Sequence, residues 1–253
     1  MLAEARRLVL RLWWACARRA RTGACVWLAL IALTAPVWAD IVSARYMDPT
    51  TRYDHGILGD AVEYGALEMQ LQDGRRLRLA LPETSVFEDL EPRLIDLNGD
   101  GALEIITIES SLTKGARLAI YGEDGLIAAT PHIGRTHRWL APLGAADLDG
   151  DGKIEVAYID RPHLARILRI WRFDEGKLVH LSDTPGLTNH RIGQDYISGG
   201  IRDCGAVPEI VTVNADWGRI IATTFDGKRT KSRDIGSFQG RSSLAKAATT
   251  CSN

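Results

Sequence analysis

An all-β fold built from about four repeats is predicted by two observations on the 253-residue chain. Acid–glycine pairs stand at Asp73-Gly74, Asp124-Gly125, Glu175-Gly176 and Asp226-Gly227, each about 51 residues after the last. An Asp-Gly step between β-type segments is a hairpin signal, because tight hairpin turns need residues that accept positive φ. The segments before the turns correspond (66–72, 117–123, 166–174, 219–225), and so, more loosely, do those after them (76–81, 126–130, 177–181, 228–234). Secondly, DLNGDGALE at 96–104 and DLDGDGKIE at 147–155 are near copies, again 51 residues apart. Each repeat then reads as inner strand, acidic loop, second strand, linker, third strand, turn and outer strand, the size of a propeller blade. Residues 40–243 hold four such units, so a ring-closed, four-bladed β-propeller is the predicted architecture, with an open stack of blades as the alternative. Ile41–Tyr46 is either a strand that closes the ring or the inner strand of unit one. Residues 244–253 read as a C-terminal tail.

The paired loops carry the clearest chemistry. Asp96, Asn98, Asp100 and Glu104 place oxygens at loop positions 1, 3, 5 and 9, with Gly101 at the turn; Asp147, Asp149, Asp151, Glu155 and Gly152 repeat the pattern. A hard cation such as Ca²⁺ takes six to eight oxygens at roughly 2.3–2.6 Å, and a short loop supplies them when alternate residues point inward. The backbone carbonyls of Ala102 and Lys153 would fill position 7. An EF-hand is excluded, because its position 12 needs a glutamate between helices. Here position 12 is Thr107 or Tyr158, and the following Ile105–Ile108 and Val156–Ile159 segments favour strands. About two structural calcium ions are expected, because carboxylates crowded together repel one another and a divalent ion reverses that. In unit one the 51-residue register places Met47–Arg52 at the loop position without acidic alternation. In unit four Gly205, Ala206 and Pro208 interrupt the loop, leaving Asp203 and Glu209 as too few ligands.

The D-x-[DN]-x-D-G-x-x-[DE] loops between strands resemble the FG-GAP/VCBS repeat family, with Gly144-Ala145-Ala146-Asp147 the nearest match to its glycine-alanine-proline signature. The resemblance implies integrin-like calcium-binding β-propeller blades and an exported, non-enzymatic binding or scaffold module for a protein or carbohydrate partner.

Residues 1–39 read as a signal peptide. Six arginines and one acid lie in 1–23, the apolar run Ala24–Leu33 follows, and Val37-Trp38-Ala39 forms a cleavage site after Ala39. The run is shorter than the ~20 residues of a spanning helix, so no membrane span is expected in the mature chain, which would be periplasmic or secreted. Of 32 acidic and 31 basic residues, one acid and six arginines fall in this leader, leaving a formal charge of −6. That balance does not favour nucleic acid or an anionic membrane. Cys204 and Cys251 remain, and an oxidising compartment would let them pair.

Catalytic signatures are thin. Ser111-Leu112-Thr113-Lys114 fits S-x-x-K but reads as a polar linker, since the companion S-D-N and K-T-G elements do not occur. The alternative function is an extracytoplasmic hydrolase with Asp54, His55 and Asp60, from the unusual Tyr53–Asp60 segment, on a propeller face. His132 and His137, and the loops 161–163 and 189–191, read as ordinary polar surface. Trp139, Trp171 and Trp217 read as inter-blade core.

Overall fold

A computed structural model describes residues 40–205 and 207–251. The predicted leader, its cleavage site and Ala206 lie outside the described residues. Among the described residues the fold is all-β apart from one helix, and the strands form four antiparallel groups.

The first group is β1 (Ile41–Thr50), β2 (Glu63–Leu71) and β3 (Arg76–Ala80). The second is β4 (Ser85–Phe87), β5 (Arg93–Ile95), β6 (Glu104–Ser111), β7 (Gly115–Gly122) and β8 (Gly125–Ala129). A single pair, Tyr64 with Phe87, joins these two groups into one eight-stranded sheet. The third group is a four-stranded sheet of β9 (Leu140–Ala146), β10 (Glu155–Asp160), β11 (Ile167–Asp174) and β12 (Lys177–Pro185). The fourth holds β13 (Leu187–Thr188), β14 (Gly200–Arg202), β15 (Glu209–Asn214), β16 (Arg219–Phe225) and β17 (Thr230–Ser237). All four acid–glycine turns join the strands expected of them. Gly74, Gly125, Gly176 and Gly227 all take positive φ, which a side chain would oppose.

Alternation decides the packing. The second strands β6, β10 and β15 are buried on both faces, because β6 and β10 have a neighbouring group on either side, while β15 has group three on one side and the helix Arg241–Thr249 on the other. Leu67, Met69 and Leu71 pack with Phe87, Ile105 and Tyr121 between groups one and two. Ile106, Ile108 and Leu118 meet Trp139, Val156 and Tyr158 between groups two and three. Ile159, Leu168 and Ile170 meet Ile210 and Phe225 between groups three and four. Trp139 is buried and Trp171 packs on the same cluster, in keeping with a core role.

Two register expectations change. Met47–Thr50 belongs to β1, which pairs with β2 from Ile41–Leu71 to Thr50–Glu63. Ile41–Tyr46 is therefore part of the second strand of group one, neither a closing nor an inner strand. The cause is the β1–β2 connection, 51–62, which is longer than the connections 112–114, 161–166 and 215–218 and moves the strand toward the N-terminus.

None of the sheets closes on itself. Residues 241–249, which span the start of the expected tail, form helix α1 (Arg241–Thr249). Its Leu244 is fully buried against Val211, Val213 and Ile220, the face of group four turned away from group three. At the other end, Glu68 pairs with Arg45 and Arg76 across the outward face of group one. The first and fourth groups still touch through their connections, where Gly193 donates its N–H to the Ile57 carbonyl at 3.1 Å. The expected disulfide is present between Cys204 and Cys251, with Cα atoms 5.5 Å apart.

Candidate functional site

The two acidic loops are the β5–β6 and β9–β10 hairpins, and they fold alike. Asp96 accepts the N–H groups of Gly99 (2.7 Å) and Gly101 (3.0 Å), while Asn98 and Asp100 accept those of Asp100 and Ala102. Asp147 accepts from Gly150 (2.8 Å) and Gly152 (2.9 Å), and Asp151 from Lys153. Gly101 and Gly152 sit at φ 92° and 87°, the turn that lets alternate side chains face inward. Glu104 and Glu155 each accept a backbone N–H, from Leu97 and Leu148, which ties position 9 back to position 2. Carboxylate oxygens of Asp147, Asp149 and Asp151 lie within 4.8 Å of one another. Lys153 turns its ammonium outward to Asp174, so it contributes only backbone to the loop.

This donor set of hard oxygens suits a hard cation. Burial raises the pKa of Glu104, and the neighbouring Asp100 and Asp96 raise it further. Among the described residues no cation pairs with Asp96, Asp100 or Glu104. Burial also raises Glu155, but there Arg172 opposes the shift. The Arg172 guanidinium lies 2.6 Å from Glu155, 2.7 Å from Asp149 and 2.8 Å from Asp151. Arg172 faces Glu155 across β10–β11. In the second group, one step beyond the Ile105–Tyr121 pair, Gly122 stands in that place.

Group four carries the conversion to its end. Glu209 pairs with Arg202 at 2.7 Å and with Arg233, and the Arg233 and Arg202 hydrogen bonds hold its pKa below the usual carboxylate range. Arg202 also donates to the Ala247 and Thr250 carbonyls at 2.8 and 2.7 Å, capping α1. In group four, two guanidiniums thus serve the carboxylate at loop position 9. Sequence reading found the loss of the loop but missed both Arg172 and these pairs.

The residues named for a hydrolase do not assemble as a trio. Asp60 caps the backbone of Val62 at the surface. Asp54 pairs with His137 at 2.9 Å. His55 Nδ1 meets the fully buried Glu88 at 2.5 Å, and Ser110 donates to the other Glu88 oxygen. Glu88 was not singled out in sequence; only its distance from His55 in the chain concealed it. His55 and His137 stack with centroids 5.2 Å apart. Both line a cavity of about 300 Å³ with Arg138, Arg161, His163 and Ile192. Ser111 ends β6 and accepts the Thr113 and Lys114 N–H groups at 3.3 Å, a turn-forming role.

Residues 96–158 match the family model described as FG-GAP-like repeat. The match begins at the first residue of one acidic loop and runs through the whole of the second, as the resemblance implied. No curated protein matches the chain.

Proposed function

We propose that this chain is an exported FG-GAP-type, propeller-like module of four blade-like units that binds a protein or carbohydrate partner, is not an enzyme, and uses calcium for structure. The observation that carries the calcium reading is the twofold occurrence of one oxygen donor set at the same hairpin of adjacent units, with no cation serving the first. Asp96, Asn98, Asp100, Glu104 and the Ala102 carbonyl would hold one ion. Asp147, Asp149, Asp151, Glu155 and the Lys153 carbonyl would hold the other. An ion in each would neutralise carboxylates that burial and mutual repulsion otherwise disfavour. Export is supported by the leader-like composition of 1–39 and by the Cys204–Cys251 bridge. No helix among the described residues is long and apolar enough to cross a membrane.

The test is thermal melting of the mature chain with calcium and with chelator, alongside Asp100→Ala. Calcium should raise the melting temperature, and the variant should lose part of that gain. Identical melts with and without calcium would reject the structural-ion reading.

A further inference from the structure

Away from the acidic loops, one cavity gathers side chains that the calcium reading leaves without a purpose. It is bounded by four connections: 51–62, the segment before β9, 161–166, and the segment between β13 and β14. Its ionisable lining is wholly basic, namely His55, His137, Arg138, Arg161 and His163. The carboxylates that touch these groups lie outside the lining. Glu88 is buried beneath His55, Asp54 holds His137, and Asp160 takes Arg161 in a two-point pair at 2.8 and 2.9 Å. Each acid orients a basic group and leaves another edge of it for the cavity.

We propose that this cavity binds a small hydroxylated oxyanion, a molecule carrying a carboxylate or phosphate group together with a hydroxyl. The oxyanion end is assigned to Arg138, whose guanidinium donates one N–H to the His137 carbonyl at 2.8 Å and has no carboxylate partner among the described residues. Bound oxyanions favour such planar, multi-donor groups. The hydroxyl end follows from the histidine relay. His190 Nε2 meets the Gln194 carbonyl at 2.9 Å, so it carries the proton and His190 Nδ1 must accept from His163 Nε2 at 3.2 Å. Burial and the neighbouring His190 push the His163 pKa down to about 4, so its ring is neutral at pH 7. With its proton on Nε2, His163 offers the cavity a bare Nδ1, an acceptor for a ligand hydroxyl.

Two further features suit a binding role. His137 and Arg161 hold left-handed backbone at φ 52° and 45°, a strained conformation for non-glycine residues that clusters at functional sites. Leu164 and Ile192 stand 63% and 72% exposed in the lining, so the carbon body of a ligand has apolar surface to cover. The volume admits a molecule the size of a hydroxy acid or a phosphorylated sugar ring.

Calorimetric titration of the mature chain with citrate, glucose 1-phosphate, inorganic phosphate and glucose tests the assignment. Citrate or glucose 1-phosphate should bind, more tightly than inorganic phosphate, and glucose should not. Between them, those two ligands report which oxyanion the site prefers. Arg138→Gln and, separately, His163→Leu should each weaken binding about tenfold or more, the scale of one charged or buried hydrogen bond. Melting curves would show that the variants remain folded, and two chemically different variants guard against one failing to fold. Absence of binding by both citrate and glucose 1-phosphate, binding of glucose alone, or affinity unchanged in both folded variants would overturn the proposal. Calcium-independent melting would leave it standing, since none of its residues belongs to the acidic loops.

Discussion

Arg172 should separate the two acidic loops by affinity, and replacing it should bring them together. The guanidinium is 17% exposed and its strongest partners are Glu155, fully buried, and Asp149, 7% exposed. A calcium ion entering the 147–155 loop must compete for both carboxylates. A hydrogen bond contributes about 1 kcal/mol net, so giving up two costs about 2 kcal/mol, roughly 30-fold in affinity. The 96–104 loop, with Gly122 at the equivalent place, carries no such penalty. Calorimetric calcium titration of the wild type should therefore resolve a tighter and a weaker site. Arg172→Gln should tighten the weaker site roughly 30-fold and lower the melting temperature of the calcium-free chain, because Glu155 loses its counter-charge. The converse variant, Gly122→Arg, should weaken the tighter site. Two equal sites in the wild type, unaltered by Arg172→Gln, would refute the competition argument. Absence of any calcium binding would instead refute the ion sites themselves.

Two further outcomes follow from a buried acid and from the disulfide. Glu63 is 2% exposed, and burial, with Glu88, Asp60 and Asp89 nearby, raises its pKa from 4.5 to about 9. The folded chain then keeps a proton the unfolded chain has lost, so this group's stability is full below pH 4.5 and is lost as pH rises toward 9. At pH 7 the loss is about 3 kcal/mol, and Glu63→Gln should recover it, with no gain at pH 4. Urea melts across that range check it, and a gain independent of pH would contradict the burial argument. Cys204 and Cys251 close a loop with a sequence separation of 47, and Cys251→Ser should cost about 2–4 kcal/mol in the same assay; an unchanged midpoint would show that the bridge adds nothing.

The turns, the outer strands and both acidic loops were legible in sequence because their determinants are local. Asp-Gly steps, alternating oxygens and β-branched runs act within a few residues. What stayed hidden depends on which strands become neighbours. Arg172 becomes a loop residue only when β10 and β11 pair in their register, and Glu88 meets His55 only when the first connection folds over the second group. The register of unit one misled for a related reason. The 51-residue repeat holds between turns, but the 51–62 connection adds residues inside the repeat and shifts β1 against it. Helix α1 was also illegible: its sequence Arg241–Thr249 is only weakly amphipathic, and its place is set by Leu244, the disulfide and Arg202 acting together.

Those three contacts give the hairpin of the fourth unit a different task from the acidic loops. A terminal unit in a stack exposes an apolar face that an internal unit buries against its neighbour. Val211, Val213 and Ile220 form that face, and α1 covers it. The helix is short and has no acid in its first turn, so its position depends on anchors at its C-terminal end. Arg202 supplies one by donating to Ala247 and Thr250, and Cys204 another by bridging to Cys251. Both anchors lie on β14 or in the hairpin that follows it, where the second and third units carry the acidic loop. The hairpin that carries the acidic loop in an internal unit is, in the last one, built to hold the cap. Glu209 belongs to that arrangement because its carboxylate neutralises and orients Arg202.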